Sequence, residues 1–270
     1  MQNKLVTVVI PIHLEEPPEL EKISLAQTLS VLHNFPITFM ATANLDTSWY
    51  ENFCRGKAVI TFERFDWKGH GPFGELMTSH LFYKRFLNYQ YMLICHLDAF
   101  VFRNELEKWC DLGYDYIGSV IYNTFWHGRD GIIHKLAGFK YPEYFGNGGF
   151  ALKKVSTFYR ITFEHRRYIA FFHWVRKLRK QGFLNDLFFC QHFPKLSSSF
   201  SMPPKHIAQQ FGAAYENWPE TDLPFNNRQT NSLPFGIHGW IQYQFDFWKP
   251  VISRYKYQLD DVNKELTPWT

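Results

Sequence analysis

Three stretches of this chain carry side chains able to do chemistry, and they lie far apart: His96-Leu97-Asp98, Asn185-Asp186, and His238, set between Gly236 and Gly239. A lone carboxylate is costly to bury unpaired, so Asp98 must face a cation, a hydrogen-bonding ligand or water. The glycines around His238 leave its ring accessible and suit a ligand role, with a structural histidine as the alternative. Asp186 precedes the apolar run Leu187-Phe188-Phe189-Cys190. It is therefore a helix N-cap or a carboxylate held at a helix start beside a cleft. Two further stretches offer shape: Gly146-Asn147-Gly148-Gly149 lets backbone approach a ligand closely or marks a bulge, and Asp66 to Gly74 is a glycine-rich loop bearing Lys68 and His70.

The elements that must position these residues follow from hydrophobic pattern. Tyr91 to Cys95 is continuously apolar, as in a strand buried on both faces of a mostly parallel sheet, so His96 and Asp98 emerge at its carboxyl end. Open α/β sheets bind ligands at that edge. Leu5–Ile12 reads as a first central parallel strand that stops at Pro11 and His13-Leu14-Glu15-Glu16. Leu25, Leu29 and Leu32 predict a helix over Glu19–His33, and Ile37–Ala41 a second strand leading to Asn44-Leu45-Asp46. This β-α-β opening carries no G-x-G-x-x-G, and the chain no G-x-x-x-x-G-K-[ST], which argues against dinucleotide and P-loop sites. Further along, a strand is predicted over Val59–Phe62, a helix over Glu75–Asn88, a short helix from an Asn104 cap to Asp111, a strand over Tyr116–Val120 and a helix over Phe158–Lys180. Ile121–Phe145 has no period and is long enough for a lid. The residues from Trp240 onward read as an aromatic tail that packs back.

With 270 residues, 46% hydrophobic and 20% charged, the chain is globular and able to bury a sizeable core. Its 19% aromatic content means a bulky core, or surfaces for sugars or membrane. The net charge of +4 is too small to imply nucleic acid, and no recognition fold accompanies it. The charge is concentrated instead: Arg160 to Lys180 holds seven Lys or Arg against Glu164, with Phe171, Trp174 and Leu178 among them. Such a helix sits on an anionic membrane or is a packed helix with a solvated basic face. Four scattered cysteines without C-x-x-C, and no signal-type opening, point to the cytoplasm.

Six blocks occur in an order known from one bacterial family: Val8-Val9-Ile10-Pro11-Ile12, Leu97 to Arg103, Gly113 to Gly118, Gly146 to Phe150, Asn185-Asp186 and Phe235 to Trp240. From about Val6 to Trp248 the chain resembles that family, catalogued mainly as a domain of unknown function. The family looks like a glycosyltransferase of the A-type fold linked to surface polysaccharide synthesis. The resemblance implies a single Rossmann-like α/β domain with a mixed, mostly parallel central sheet. Residues 1–103 would bind a nucleotide sugar and residues 104–270 the acceptor. In such enzymes a D-x-D element ends a central strand, and its second Asp binds a divalent cation; here the triplet is His96-Leu97-Asp98, with His96 replacing the first carboxylate. The resemblance makes Asp98 and His238 the ligands of Mn2+ or Mg2+, the histidine shifting preference toward Mn2+. It places Pro11, His13, Asp46, Lys68, His96 and Asp98 on the nucleotide sugar, and Asn147, Gly148, Gly149, Asn185 and Trp240 on the substrates. Asp186 becomes the general base of an inverting reaction, or an acceptor-positioning group in a retaining one. The implied partners are a nucleotide-sugar donor, a glycan or lipid-linked acceptor and the anionic inner face of the cytoplasmic membrane, with no nucleic acid. Alternative readings are a nucleotidyltransferase of similar fold and a non-catalytic carbohydrate- or membrane-binding protein.

Overall fold

The computed structural model describes residues 4–67, 69–122, 144–179, 184–214, 233–243 and 245–259. In chain order the elements are β1 (Lys4–Ile12), α1 (Glu19–Leu32), β2 (Ile37–Thr42), α2 (Ser48–Cys54), β3 (Ile60–Phe65), α3 (His70–Met77), α4 (His80–Lys84), β4 (Tyr89–Cys95), β5 (Ala99–Val101) and α5 (Leu106–Asp111). They continue as β6 (Tyr116–Tyr122), β7 (Tyr144–Lys154), α6 (Val155–Glu164), α7 (Arg166–Leu178), α8 (Asn185–Leu196), α9 (Lys205–Phe211), β8 (Gly212–Ala214), β9 (Gly236–His238) and α10 (Phe245–Ser253).

The strands form one mixed, mostly parallel sheet in the order β3-β2-β1-β4-β7-β6-β8-β9-β5. β1 is buried from Val6 to Ile12 and pairs in parallel with β2 on one side and β4 on the other, Val8 opposing Ile37 and Leu93. β2 pairs in parallel with β3. The carboxyl ends of these four strands therefore share one edge. β7 runs antiparallel to both β4 and β6, and β5 antiparallel to β9.

Both faces of this sheet are covered, which is why its strands read as unbroken apolar runs rather than alternating ones. On one face Val8, Ile10, Ile37 and Phe39 pack with Leu25, Leu29 and Leu32 of α1. On the other, Val9, Met40, Met92 and Ile94 pack with Phe82, Phe86, Phe158 and Phe189. The aromatic tail predicted after Trp240 does pack back: Trp240 and Trp248 join Phe100, Phe102 and Ile237 in a third cluster.

Three predicted helices differ in the structure. The one expected over Glu75–Asn88 is two short helices. Thr78 Oγ1 donates to the carbonyls of Gly74 (3.2 Å) and Glu75 (3.0 Å) at the end of α3, while Ser79 Oγ accepts the Leu81 N–H (3.2 Å) to cap α4. α3 itself begins inside the expected loop. Gly69, at φ 81°, turns the chain into it, and Pro72 falls in the first turn, where no amide is required. Gly69, Gly71 and Gly74 do have G-x-G-x-x-G spacing, but after the edge strand β3, and a Cβ on Gly71 would meet nothing within 4 Å. That spacing marks a helix entry. The helix cap near residue 104 is Glu105, held by Arg103 at 3.3 Å, not Asn104. The helix expected over Phe158–Lys180 breaks at His165 (φ −103°, ψ 20°) into α6, which buries Phe158 and Ile161, and α7, which fully buries only Ile169. Most of Ile121–Phe145 lies outside the described residues. All four cysteines are free and buried, and among the described residues no helix is long and apolar enough to cross a membrane.

Candidate active site

Three strand ends bring the separated chemistry together. At the end of β4 the ladder continues for one residue, the His96 N–H donating to the Gly149 carbonyl of β7 at 2.8 Å. The chain then turns, with the Ala99 N–H donating to the His96 carbonyl (3.0 Å), which lifts Leu97-Asp98 out of the sheet. The Asp98 carbonyl accepts the Gly239 N–H at 3.0 Å, and Ala99 pairs with His238 across β5 and β9. As a result His238 Nε2 stands 3.2 Å from Asp98 Oδ1, and the His96 and His238 rings face each other nearly edge-on with centroids 5.4 Å apart. One ligand atom from each of His96, Asp98 and His238 falls within 4.8 Å of the others.

The adjacent glycines of β7 explain how this fits. Strand side chains alternate faces, so Gly148 and Gly149 serve opposite neighbours. A Cβ on Gly149 would lie 2.0 Å from His238 Nε2, so the imidazole occupies the space a side chain would fill. A Cβ on Gly148 would lie 3.0 Å from Asn185 Oδ1 and 3.6 Å from the Asp186 Cβ, so the start of α8 packs there. Asp186 accepts the N–H of Leu187 on its own helix (2.8 Å) and the Gly148 N–H (3.3 Å). Asn147 Oδ1 accepts the Gly149 N–H at 2.7 Å and stiffens the same turn.

The two carboxylates have opposite characters. Burial pushes the Asp98 carboxyl up, but His238 and then His96 outweigh it and hold the group down at about 2. Its side chain is one-fifth exposed, and that of His238 13% exposed, so the cluster opens to solvent. Burial raises the Asp186 carboxyl above its ordinary value, and the N–H bonds from Leu187 and Gly148 offset this only in part. Two imidazoles and one ionised carboxylate, converging where Gly149 leaves room, make a donor set that fits a divalent cation.

A family model covers residues 58–238 of the chain, and it describes a protein of unknown function, DUF5672. The chain belongs to the DUF5672 family. No curated protein matches its sequence. Among solved structures, this DUF5672 chain superposes on the galactosyltransferase LgtC, bound to donor and acceptor sugar analogues, with TM-score 0.54 and 13% identity over 94% of this chain and 98% of that one. Mouse xyloside xylosyltransferase 1 matches with TM-score 0.51 and 10% identity over 88% and 97%. The bifunctional glycosyltransferase WbbM matches with TM-score 0.52 and 14% identity over 87% of this chain and 45% of that one. At such identities the likeness is one of fold: the DUF5672 chain has the A-type glycosyltransferase fold.

Around the cluster the other sequence-predicted residues fall unevenly. Asp46 sits beyond β2 near the carboxyl edge, but its carboxylate already accepts the Ser48 N–H (2.9 Å) and hydroxyl (2.6 Å), bonds that lower its pKa. Pro11 is buried within β1 opposite Met40, so its ring packs. Trp240, expected on a substrate, is fully buried and donates its indole N–H to Ser24 Oγ at 2.9 Å; it has no face left for a sugar. Lys68 lies outside the described residues.

In the DUF5672 chain the glycine-rich loop contributes its aromatic residues instead. Phe73 sets its ring 5.4 Å from that of His96, Trp67 stands 5.4 Å from Phe73, and His13 stands 5.9 Å from Trp67. This wall ties the end of β1 to the cluster, and alternation of aromatic and glycine residues in the loop was its sequence signal. Lys153 is a second residue that sequence reading missed. It is fully buried, with Nζ 4.5 Å over the Phe189 ring and 3.4 Å from Tyr83 Oη, and burial pulls its pKa down to about 7. A lysine near the end of a strand looks like an edge residue until the helices that cover it are known.

Proposed function

We propose that this protein moves a sugar from a nucleoside-diphosphate sugar to a glycan or lipid-linked acceptor in bacterial surface polysaccharide synthesis. The observation that carries the reading is the convergence of His96, Asp98 and His238 at the carboxyl end of β4, on a glycosyltransferase fold. The cation these three residues would hold, Mn2+ ahead of Mg2+ because two donors are imidazoles, supplies neutralisation of the charge on the departing nucleoside diphosphate.

The chain's own residues supply the rest. Residues 1–103 form the donor half, where His13 and Asp46 line the edge on which the nucleotide lies. Residues 104–270 form the acceptor half, where Gly148 and Gly149 make room for Asp186 and His238 beside the sugar rather than for the sugar itself, and Asn147 and Asn185 offer amide groups to its hydroxyls. In an inverting transfer the acceptor oxygen bonds to the anomeric carbon as the bond to the diphosphate oxygen breaks, and the hydroxyl proton passes to Asp186. Its raised pKa suits it to that task. In a retaining transfer the same carboxylate orients the acceptor. A lipid-linked acceptor places the reaction at the inner face of the cytoplasmic membrane.

The test is turnover of a panel of UDP- and GDP-sugars with Mn2+. Release of the nucleoside diphosphate that Asp98→Asn abolishes supports the proposal. Pyrophosphate release would indicate nucleotidyl transfer instead, and sugar binding without nucleotide affinity a non-catalytic protein.

A further inference from the structure

The surface of α7 is organised in a way the transfer chemistry does not use. Phe171, Trp174 and Leu178, spaced i, i+3 and i+7 on one helix, are 60%, 56% and 64% exposed. They form a continuous apolar ridge pointing into solvent, with the Phe171 and Trp174 rings 5.9 Å apart. Arg166 and Lys177 project on one side of that ridge and Arg179 follows on the other, as their spacing at 100° per residue requires. The Arg166–Lys177 side opens into a cleft of about 480 Å³ between α7 and the α3–α4 turn. Its walls include Arg166, Lys177, His80, His173 and Trp174, with Glu75 as the one carboxylate.

A core-packing role does not account for this helix, because the ridge is its outward face. Burial against water alone would favour polar residues at all three ridge positions. We propose that α7 docks the protein on an anionic bilayer, the ridge entering the interfacial layer and Arg166, Arg167, Lys177 and Arg179 meeting the anionic headgroups around it. The occupant follows from charge: Arg166, Arg167, Lys177 and Arg179 lie on or beside the ridge, and α7 itself carries no Asp or Glu, which matches a surface of anionic headgroups. Apolar side chains flanked by basic ones are the arrangement of a helix lying in the membrane plane.

The position of the cleft gives docking a consequence for the site. α3 connects the two: Phe73 lies against His96, and Glu75 and Thr78 line the cleft. Five residues of helix separate Phe73 from Thr78, a rise of about 7.5 Å. A docked protein thus holds its cluster within reach of an acceptor carried on a lipid. Only this last consequence rests on the transferase reading; the docking stands without it.

The experiment is flotation with vesicles of phosphatidylcholine alone and of phosphatidylcholine with about one-third phosphatidylglycerol, at low and high salt. The full-length protein floats with the anionic vesicles at low salt and not with the neutral ones. Arg166→Gln with Lys177→Gln weakens binding about fivefold per charge, or roughly 25-fold together. Trp174→Ser with Phe171→Ser abolishes it, while circular dichroism shows the melting point retained, since both side chains are exposed. The pair Arg55→Gln with Lys57→Gln, beside α2 on the opposite face of the sheet, has little effect. Equal losses from the two arginine and lysine pairs would overturn α7 as the docking face. Protein that stays soluble with anionic vesicles at low salt would overturn the docking itself. So would sedimentation showing that the ridge is covered by a second copy of the chain.

Discussion

Gly149→Ala offers the sharpest perturbation of the cluster, because it adds one methyl group at a known place. An ideal Cβ there lies 2.0, 2.3 and 2.7 Å from Nε2, Cδ2 and Cε1 of His238. Ordinary contact needs about 3.5 Å, so the imidazole must retreat by about 1.5 Å. Metal-ligand bonds tolerate only about 0.2 Å, so His238 leaves the coordination shell altogether. Mn2+ affinity then falls by more than about 100-fold, beyond the 10–100-fold typical of an outer-shell change. Overpacking costs roughly 1–3 kcal/mol of stability, which leaves the chain folded but lowers its melting temperature by several degrees. The assay is calorimetric Mn2+ titration of Gly149→Ala, His238→Ala and the double variant. With the ring gone the added methyl has nothing to displace, so the double variant should match His238→Ala to within about 0.5 kcal/mol. Unchanged Mn2+ affinity in Gly149→Ala, with the protein folded, would refute the placement of His238 as a ligand.

Two further substitutions separate roles. Asp186→Asn should lower kcat by about 10²–10⁴ in an inverting reaction. It should also remove the acidic limb of the pH–rate profile, which burial of Asp186 shifts upward from the ordinary carboxylate value. An unaltered limb would assign the base elsewhere. Lys153 binds its proton less readily folded, near pH 7, than unfolded, near 10.5. The unfolded chain therefore holds the extra proton between those values, and the cost of burying the ammonium, full below pH 7, is relieved as pH rises toward 10.5. Lys153→Met should stabilise the protein most below pH 7 and progressively less above it, as read by urea denaturation; a pH-independent difference would contradict the burial argument.

The parallel part of the sheet was legible because its central strands are buried on both faces. The apolar runs of β1, β2 and β4 announce themselves, and the residues that follow β4 must then sit at the ligand edge. Asp98 and His238 could be named from their surroundings in sequence. Their 3.2 Å approach could not, since it depends on β5 pairing with β9 across more than a hundred residues. His96 reads as a lost carboxylate in sequence, whereas in three dimensions it is the third donor of the cluster. Trp240 illustrates the opposite error. The resemblance places it on a substrate, yet Ser24, more than two hundred residues earlier, claims its N–H, and Phe100 packs against its ring. Helix ends were misplaced where side chains such as Thr78 and Ser79 bond to nearby backbone, an effect that periodicity does not register.

The central claim is that His96, Asp98 and His238 hold a cation through which a nucleoside diphosphate is bound. Its most direct test is titration of UDP and of GDP into the purified protein with Mn2+ present and absent, for the native chain and for Asp98→Asn. Binding of one nucleotide that requires Mn2+ and is lost in Asp98→Asn is the predicted result. Nucleotide binding of equal strength without the cation, or retained in full by Asp98→Asn, would contradict it.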